Sequence, residues 1–421
     1  MTFSGFYKKT REERVHILRE AGLLSPASSE ILLKNDLLDT DIAGQMAENH
    51  LGLFALPYSI IPQIKVDNKI YSVPMVTEEP SVVAAASNVS KLVMASGGFT
   101  SHIAKREMIG HVALYDVADV ELATKNIDSK KDYLLQVAND AHPSIVKRGG
   151  GARDIFWEIK EESGVTFLVV YLSVDVQEAM GANMLNNMLE ALKPVLEELT
   201  SGTALMAILS NYATNSLVSS TCQIDVATLD KDLEQAREIA KKIELASIFA
   251  KVDVYRAATH NKGIFNGIDS IVIASGNDWR AIEASGHSYA ARDGKYKGLT
   301  TWTYDKEKDI LHGQLTLPMP VATVGGSIGL NDTVKITHEI LGTPTAKELA
   351  AIIVSVGLAQ NLAALKALVG KGIQAGHMKL HAKSLALLAG AKPEQVEIVA
   401  EKLRQAKHMN LETAEKIIRE L

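Results

Sequence analysis

GVTFLVVYLSVD, residues 164–175, is a strand-like run of β-branched and aromatic residues, and it decides how the chain around it folds. A second strand pattern, ARDIFWEIK (152–160), comes directly before it. In chain order the predicted elements are the strand GHVALYDV (110–117), a helix from Val120 to Asn139, the two strands just quoted, a helix from Glu178 to Leu199 and the strand ALMAILSN (204–211). This β-α-β-β-α-β order is the split βαβ of ferredoxin-like folds, so the sequence predicts such a module within residues 109–225.

Helical and hairpin patterns precede the module. From Arg11 to about His50 the apolar residues recur at helical spacing and predict three helices. IPQIKVDNKIYSVPMV (61–76) alternates apolar and polar residues around Asp67-Asn68, which indicates a hairpin. Pro80 suits the first turn of the alanine-rich helix that follows, where no amide hydrogen is needed, and the acidic residues before it suit the positive helix end.

Mixed and then helical patterns follow the module. A helix from Asp230 to Phe249 is succeeded by the strand-like SIVIAS (270–275) and by a hairpin, TTWTYDKEKDILHGQLTL (300–317). After Thr345 the chain is almost all helical. A hinge before a small helical end domain is predicted at the closely spaced glycines Gly370, Gly372 and Gly376.

Composition excludes several classes of protein. The 421 residues carry a net charge of -6, with 47% hydrophobic and 22% charged residues, which excludes a disordered or fibrous chain. A mildly acidic protein has no global basic field for nucleic acid or an anionic membrane. Cys222 is the only cysteine, so an intrachain disulfide and a multi-cysteine metal centre are excluded. With no signal-like or membrane-spanning run, a cytoplasmic protein is expected.

The densest polar cluster is RAATHNKGIFNGIDSIVIASGNDWR, residues 256–280. In it, the strand-like run between Lys262 and Asp278 would bring the two side chains together. A lysine in a partly dry pocket stabilises an oxyanion, and a neighbouring carboxylate holds it in place. Periodicity alone leaves a structural ion pair as acceptable as a catalytic one.

Metal and nucleotide motifs are weak by the usual patterns. His377 and His381 lie four residues apart without the glutamate of a zincin, so no metal site is predicted. Neither a P-loop nor a GxGxxG following a strand is present. Met180-Gly181-Ala182-Asn183 lies near the start of the module's second helix, where exposed amides and the helix dipole favour a phosphate.

Seven ordered motifs resemble the class II, bacterial-type 3-hydroxy-3-methylglutaryl-CoA (HMG-CoA) reductases. They are ENHLG (48–52), PMVTEEPSVVAAAS (74–87), EAMGAN (178–183), RAATHNKGIFNGID (256–269), SGNDWRAIEASGHSYAARDGKYKGLTTW (275–302), VGLAQNLAALKAL (356–368) and GIQAGHMKLHAK (372–383). The likeness runs from about residue 5 to the end of the chain.

The resemblance implies reduction of HMG-CoA to mevalonate and CoA by two nicotinamide hydrides. It makes Glu79 the catalytic glutamate, Lys262 the oxyanion-stabilising lysine, Asp278 the central aspartate and His377 the histidine that protonates the departing thiolate. These residue types suit the chemistry, because a reduced thioester carbonyl becomes an alkoxide and the hemithioacetal then expels a thiolate. Glu79 supplies a further proton if proximity to Asp278 raises its pKa.

The resemblance also implies substrate and cofactor contacts. Arg256 is the candidate for the substrate carboxylate, because its planar fork matches that group. Ser81 and Asn266 match family pocket positions. Gln360 and ENHLG are candidate CoA or HMG contacts, and packing explains them equally well. The candidates for the cofactor are His142, Lys147, Arg148, Met180, Gly181 and Asn183.

Two positions depart from the family pattern. Where an NAD-preferring enzyme would carry an acid for the ribose hydroxyls, this sequence has Ala141-His142-Pro143, followed by Lys147-Arg148. A 2′-phosphate is then tolerated or attracted, so NADPH is expected as the donor, and NADH stays open because the two cations are equally explained as solvated loop charges. Glu178 stands where the family usually has aspartate.

The expected fold is α+β: a large HMG-CoA-binding domain (1–108 and 226–374), an inserted ferredoxin-like cofactor domain (109–225) and a C-terminal helical flap (375–421). The family's sites lie at a subunit interface, which implies a homodimer or a higher even oligomer. Three alternatives stay open: an NAD-dependent enzyme that degrades mevalonate, a related acyl-CoA or aldehyde reductase, and a CoA- or nucleotide-binding regulatory protein. The retention of all four catalytic residues argues against the last.

Overall fold

The structure is a computed structural model and describes residues 3–36, 38–326, 328–370 and 382–421. Within these ranges the strands form one sheet of six strands and one of four. The elements are α1 (Arg11–Glu20), α2 (Pro26–Lys34), α3 (Thr40–Met46), β1 (Tyr58–Val66), β2 (Lys69–Val76), α4 (Val82–Ala95), β3 (Phe99–Ile103), β4 (Glu107–Tyr115), α5 (Val120–Ser129), α6 (Lys131–Ala141), α7 (Pro143–Lys147), β5 (Gly151–Glu162), β6 (Val165–Asp175), α8 (Ala182–Thr200), β7 (Thr203–Ser210), β8 (Leu217–Asp225), α9 (Leu233–Val252), α10 (Val254–Ala274), α11 (Trp279–Ala290), β9 (Thr300–Asp305), β10 (Ile310–Pro318), α12 (Asp332–Ile340), α13 (Ala346–Val369), α14 (Val396–Gln405) and α15 (Leu411–Arg419).

The larger sheet has the strand order β2-β1-β3-β8-β10-β9. Its predicted hairpins are confirmed: β1 pairs with β2 and β9 with β10, both antiparallel. The first hairpin turns at Asp67 and Asn68, whose φ values of 48° and 66° are those that a tight hairpin turn demands. The three predicted N-terminal helices are confirmed as α1, α2 and α3.

The smaller sheet has the order β5-β6-β4-β7, with every neighbouring pair antiparallel. Helices α5, α6 and α8 pack on this sheet and share with it a hydrophobic cluster that includes Leu114, Leu172 and Leu189. The helix predicted from Val120 to Asn139 is two helices, because the chain breaks at Lys130.

Helix α13 is the core of the larger sheet's half of the molecule. Thr345 and Glu348 form a capping box at its start, and most of its residues are buried on every side. In the part of the chain that the structure describes, α13 is the one helix long and apolar enough to cross a membrane by length and composition, and 67% of its apolar window is buried. A helix that is apolar all round and buried is typical of a protein core.

The predicted strand SIVIAS (270–275) is wrong, because residues 270–274 end helix α10. Its β-branched residues imitate a buried strand over a short window. Over the whole helix, however, Ile264, Ile268 and Ile271 recur every three or four residues and are fully buried. Gly357 lets α13 approach this face, since a Cβ there would lie 2.9 Å from the Cγ1 atom of Ile268.

The predicted helix start at Pro80 is also wrong by two residues. Helix α4 begins at Val82 with Ser81 as its N-cap, so Pro80 and the acidic pair lie in the preceding loop. Glu79 is therefore held away from the helix end and free to take another role.

The C-terminal region after residue 381 is helical, as predicted. Residues 382–388, α14 and α15 form a hydrophobic cluster of their own around Val399, Leu403 and Ile417. The hinge expected at Gly370, Gly372 and Gly376 lies mostly outside the described residues, with Gly370 alone inside them.

Candidate active site

Glu79 lies in the loop between β2 and α4. Its N–H donates to Thr77 Oγ1 at 3.1 Å. Ser81 has a φ of 75°, in the left-handed region that residues other than glycine rarely adopt, and its side chain does not cap α4. Strained residues of this kind cluster at ligand-binding turns. The loop thus presents a carboxylate and a hydroxyl side by side.

Helix α10 supplies two partners for Glu79. Lys262 Nζ donates to Glu79 Oε2, and Asn266 Nδ2 donates to Glu79 Oε1 at 3.0 Å. Residues four apart lie on one helix face, so the i, i+4 spacing of Lys262 and Asn266 aims both side chains at one carboxylate. The structure therefore brings together three of the residues predicted from the sequence.

This cluster is open to solvent within one chain. The side chain of Lys262 is 61% exposed and that of Glu79 37% exposed. The expectation of a partly dry lysine pocket is therefore wrong for the isolated chain. An ammonium stabilises an oxyanion strongly only where water is excluded, so a cover from elsewhere is needed for that chemistry.

Asp278 is not brought to Lys262, contrary to the sequence-based prediction. Its Oδ1 caps α11 by accepting the N–H groups of Arg280 and Ala281 at 3.0 and 3.1 Å. The intervening run is helical, and Lys262 lies about 18 Å along α10 from the end that leads to Asp278.

The packing of α11 against α10 keeps the two groups apart. The helices run antiparallel, because a Cβ at Gly286 would touch Phe265 and because Glu283 lies beside Asp269 further along. Asp278 therefore lies near the C-terminal end of α10. No rotamer of Lys262 brings its ammonium to Asp278 within one chain.

Arg256 is also not part of the Glu79 cluster. It precedes Lys262 by six residues, which places it about 120° away around the helix. Its side chain is half-buried, and burial lowers the pKa of its guanidinium. Nearby, burial together with the charges of Arg256 and Lys251 lowers the pKa of His260 to about 3, so His260 is a neutral core residue bonded to Thr300.

Gln360 lies behind the cluster, on α13. It is only 6% exposed, and its Cβ lies 3.1 Å from where a Cβ at Gly267 would stand, next to Asn266. Its Oε1 is buried with no hydrogen-bond partner among the described residues. A buried carbonyl without a hydrogen bond costs free energy, which favours a role for this amide beyond packing.

The cofactor candidates come from two adjacent loops of the four-stranded unit. Gly181 is the N-cap of α8, with a φ of 88°, and a Cβ there would lie 2.3 Å from Val176 Cγ1, so no side chain fits. Helix α8 begins at Ala182, four residues after the predicted start, and Met180, Gly181 and Asn183 surround its N-terminus. Unpaired amides at the start of a long helix fit a phosphate.

The triple-glycine loop lies against the loop that leads to Gly181. A Cβ at Gly150 would stand 2.5 Å from the carbonyl oxygen of Asp175 and 3.0 Å from Gln177 Cγ. Exposed Lys147 and Arg148 precede these glycines at the end of α7, and His142 is the N-cap residue of that helix. The structure thus places the two predicted cofactor loops side by side.

A cavity of about 1010 Å³ was missed by the sequence reasoning. It lies between the N-terminal helices and the β1-β2-α4 wall, and its lining is mainly apolar, with Val83 and Ala84 on the α4 side next to Ser81. Three cations line it: Arg11, Arg14 and Lys91. Only long-range packing forms this cavity, so no pattern within a short window of the sequence indicated it.

A partly buried carboxyl pair was also missed. Asp269 of α10 lies beside Glu283 of α11, and burial together with the charge of Glu283 raises the pKa of Asp269 to about 8. Asp269 Oδ1 is buried and has no hydrogen-bond partner among the described residues. The pair joins the helix that carries Lys262 to the helix that Asp278 caps.

The remaining predictions concern metals and His377. No group of three or more His, Cys, Asp or Glu residues that suits a metal ion occurs within residues 3–36, 38–326, 328–370 and 382–421. His377 and His381 lie outside the described residues, so the role assigned to His377 stays a prediction.

Comparisons with known proteins agree on one family. A family model described as hydroxymethylglutaryl-coenzyme A reductase matches residues 10–382. The 3-hydroxy-3-methylglutaryl-coenzyme A reductase of Archaeoglobus fulgidus is 41% identical over 99% of this chain and 94% of its own length. A probable reductase of the same name from Borreliella burgdorferi is 33% identical over 82% of this chain and 78% of its own.

Solved structures give the same result. A 3-hydroxy-3-methylglutaryl-coenzyme A reductase from Streptococcus pneumoniae is 58% identical, with a TM-score of 0.87 and full coverage of both chains. A class II reductase from the same organism, described as bound to NADPH in open conformations, is 59% identical over 88% of this chain and 100% of that chain, with a TM-score of 0.86.

Proposed function

The chain belongs to the hydroxymethylglutaryl-coenzyme A reductase family, and from that premise we propose that it reduces HMG-CoA to mevalonate and coenzyme A with two NADPH. The observation that carries this is the Glu79–Lys262–Asn266 cluster, which places an ammonium and an amide donor on one carboxylate beside the strained Ser81. The four-electron reduction needs a positively charged group, such as the ammonium of Lys262, at the carbonyl oxygen. The product is a precursor for isoprenoid synthesis.

Lys262 stabilises the negative charge that develops on the carbonyl oxygen in each reduction. Glu79 holds the ammonium in place through its hydrogen bond and is the acid that returns a proton to the product oxygen. His377 protonates the thiolate of coenzyme A as the hemithioacetal collapses, a role that an imidazolium performs near neutral pH.

The dinucleotide fits the paired loops at Gly181 and Gly150. A Cβ is excluded at Gly181, which leaves the start of α8 open to a pyrophosphate. Lys147, Arg148 and His142 are the groups for a 2′-phosphate, and Met180 and Asn183 flank the helix start. When bound, NADPH supplies the hydride for each reduction. NADH with mevalonate oxidation is the alternative direction.

The 1010 Å³ cavity next to α4 fits the rest of the substrate. Its apolar wall suits a pantetheine arm, and Lys91 at its border suits a phosphate. The guanidinium groups of Arg11 and Arg14 already donate to backbone carbonyls, so Lys91 is the freer cation. Ser81 and Gln360 then contact the acyl end of the substrate. Arg256 and ENHLG (48–52) keep the substrate contacts that the resemblance implies.

A homodimer completes the site. Because Asp278 cannot reach Lys262 within one chain, the partner subunit's Asp278 is assigned to the cluster. An exposed apolar surface supports self-association: Leu245, Ile248, Phe249, Val252 and Tyr255 lie on α9 and the start of α10, with Tyr255 89% exposed. The partner then excludes water from Lys262, as its chemistry demands.

The arrangement of the sheets supports the proposed domain assignment. Strands β4 and β5 are separated by β6 in a fully antiparallel sheet, which is the arrangement of a split βαβ unit. Its separate hydrophobic cluster supports an inserted ferredoxin-like cofactor domain at residues 109–225. The large domain comprises residues 1–108 and 226–374, the flap comprises residues 375–421, and the enzyme acts in the cytoplasm.

The test is a coupled measurement of NADPH oxidation at 340 nm and of thiol release with HMG-CoA. We expect two NADPH per coenzyme A and a rate at least about 100-fold lower in Lys262→Ala, as for loss of an oxyanion donor. Lys125→Ala removes an exposed lysine of α5 and serves as the matched control with normal activity. Oxidation with neither NADPH nor NADH would refute the proposal, and oxidation with another acyl-CoA alone would favour the related reductase.

A further inference from the structure

Glu178 is bonded to groups on the far side of the boundary between the two sheets. Its Oε2 accepts Thr323 Oγ1–H at 2.8 Å and the N–H of Ala346 at 2.6 Å. Its backbone carbonyl accepts the N–H of Thr323 at 3.0 Å. Ala346 is the first residue of α13, whose first amides have no partner inside the helix. A residue of the cofactor loop therefore caps the central helix of the large sheet's half.

Arg106 binds the same two segments from the other side. It lies between β3 and β4, where the chain enters the four-stranded unit, and its guanidinium donates to the carbonyls of Ala179 (2.9 Å) and Val321. Burial lowers the pKa of Arg106, and the charges of Glu178 and Asp175 oppose that effect. Arg106 and Glu178 thus clamp residues 178–179 onto residues 321–323.

The clamped segment leads directly to Asp278. Asn277 bonds Ala322 through both groups of its amide: Nδ2 donates to the carbonyl of Ala322 at 3.0 Å, and Oδ1 accepts its N–H at 2.6 Å. Asn277 precedes Asp278 in the chain. A continuous set of hydrogen bonds therefore runs from the loop before Gly181, through residues 321–323, to the aspartate.

We propose that Glu178 is a positioning residue of the reductase, which fixes the dinucleotide loop relative to Asp278 through Thr323 and Ala346. The inference rests on the placement of NADPH at Gly181 proposed above. Gly181 follows Glu178 by only three residues, so a shift of the loop moves the nicotinamide relative to the thioester. Hydride transfer is steeply sensitive to such distances, and a displacement of about 1 Å can cost 100-fold in rate.

The accepting oxygen of the side chain is what the geometry demands, because it binds both Thr323 and Ala346. Alanine removes that oxygen, whereas glutamine keeps it. We therefore expect Glu178→Ala to lower the single-turnover rate constant of NADPH oxidation about 10- to 100-fold. In Glu178→Gln the rate should stay within about threefold of the wild type, since one carbonyl oxygen can accept both bonds.

Glu197→Ala is the matched control. Glu197 lies on the same helix that Gly181 caps, and its carboxylate accepts the backbone N–H of Ala204 at 2.8 Å within the four-stranded unit. The same carboxylate is lost and the same kind of bond is broken, without any link to residues 321–323. Its single-turnover rate constant should stay within about twofold of the wild type.

Single-turnover amplitudes separate positioning from mere stability. A structural role would lower the amplitude, which counts active sites, and leave the rate constant and the KM for HMG-CoA unchanged. Equal rate constants in Glu178→Ala and Glu197→Ala would overturn the inference. Asn183→Ala tests the premise: a raised KM for NADPH keeps it, whereas an unchanged KM would overturn the premise and the inference together.

Discussion

The assignment of Asp278 to the opposite subunit predicts complementation between two inactive variants. Lys262→Ala and Asp278→Ala each remove one group of the proposed composite site, so each homodimer should lose at least about 100-fold in rate. In a heterodimer of the two, one site contains only the two substituted positions. The other site combines the intact Lys262 of one subunit with the intact Asp278 of its partner.

The expected activity follows from counting sites in a two-fold symmetric dimer. A purified heterodimer has one intact site of two and should show about 50% of wild-type activity. An unsorted one-to-one mixture contains about half heterodimers and should show about 25%. The basis is the separation of about 18 Å along α10 between Lys262 and the helix end next to Asp278, which no side-chain motion closes.

The assay is co-expression of the two variants with different affinity tags, purification over both columns and measurement of NADPH oxidation with HMG-CoA. A heterodimer of Lys262→Ala with Glu79→Ala is the control. Because these two residues are bonded within one chain, the two defects fall in different sites and each site lacks one group. This heterodimer should therefore stay at the level of the inactive homodimers. Activity of the Lys262/Asp278 heterodimer at the level of the inactive homodimers would refute the reasoning.

Three further predictions concern pH, the cofactor and the C-terminal helices. The pKa of Asp269 is about 8 in the folded chain against an ordinary value of 3.8, so the native state binds a proton that the unfolded chain has released, and stability falls as the pH rises from about 4 to about 8. Asp269→Asn should remove this fall, and equal slopes of melting temperature against pH for both proteins would contradict it. His142→Asp should shift the ratio of kcat/KM for NADPH and NADH at least about tenfold toward NADH, as expected when an acid binds the ribose hydroxyls, and an unchanged ratio would show that the ribose lies elsewhere. Deletion of residues 375–421 should abolish thiol release because His377 is lost, and retained thioester reduction would exclude that role.

Much of the fold was predictable from local patterns. The hairpin at Asp67-Asn68 and the strand and helix order around residues 164–175 depend on turn chemistry and periodicity, which act over a few residues. The failures have a local cause as well. The apolar SIVIAS run looks like a strand because a six-residue window cannot distinguish a buried strand from a helix buried on all sides. The packing of α13 against this segment buries it as part of helix α10.

The candidate site shows the same division. The resemblance to the family marked Glu79, Lys262 and Asn266, but nothing local indicated that one carboxylate would accept both donors. The role of Asp278 implied by the resemblance stays a prediction, and its placement beside Lys262 within the chain was wrong. The direction of α11 against α10, set by Phe265 and Gly286, decides that distance.

The amino-acid sequence by itself determined the family, the residue types of the chemistry and the elements that carry them, because motifs and periodicity are written in adjacent residues. Only the tertiary structure decided which groups meet: Glu79 with Lys262, Glu178 with the start of α13, and Asp278 with neither. Those meetings depend on packing between segments up to 183 positions apart, as for Lys262 and Glu79, and such contacts leave no pattern in a short window.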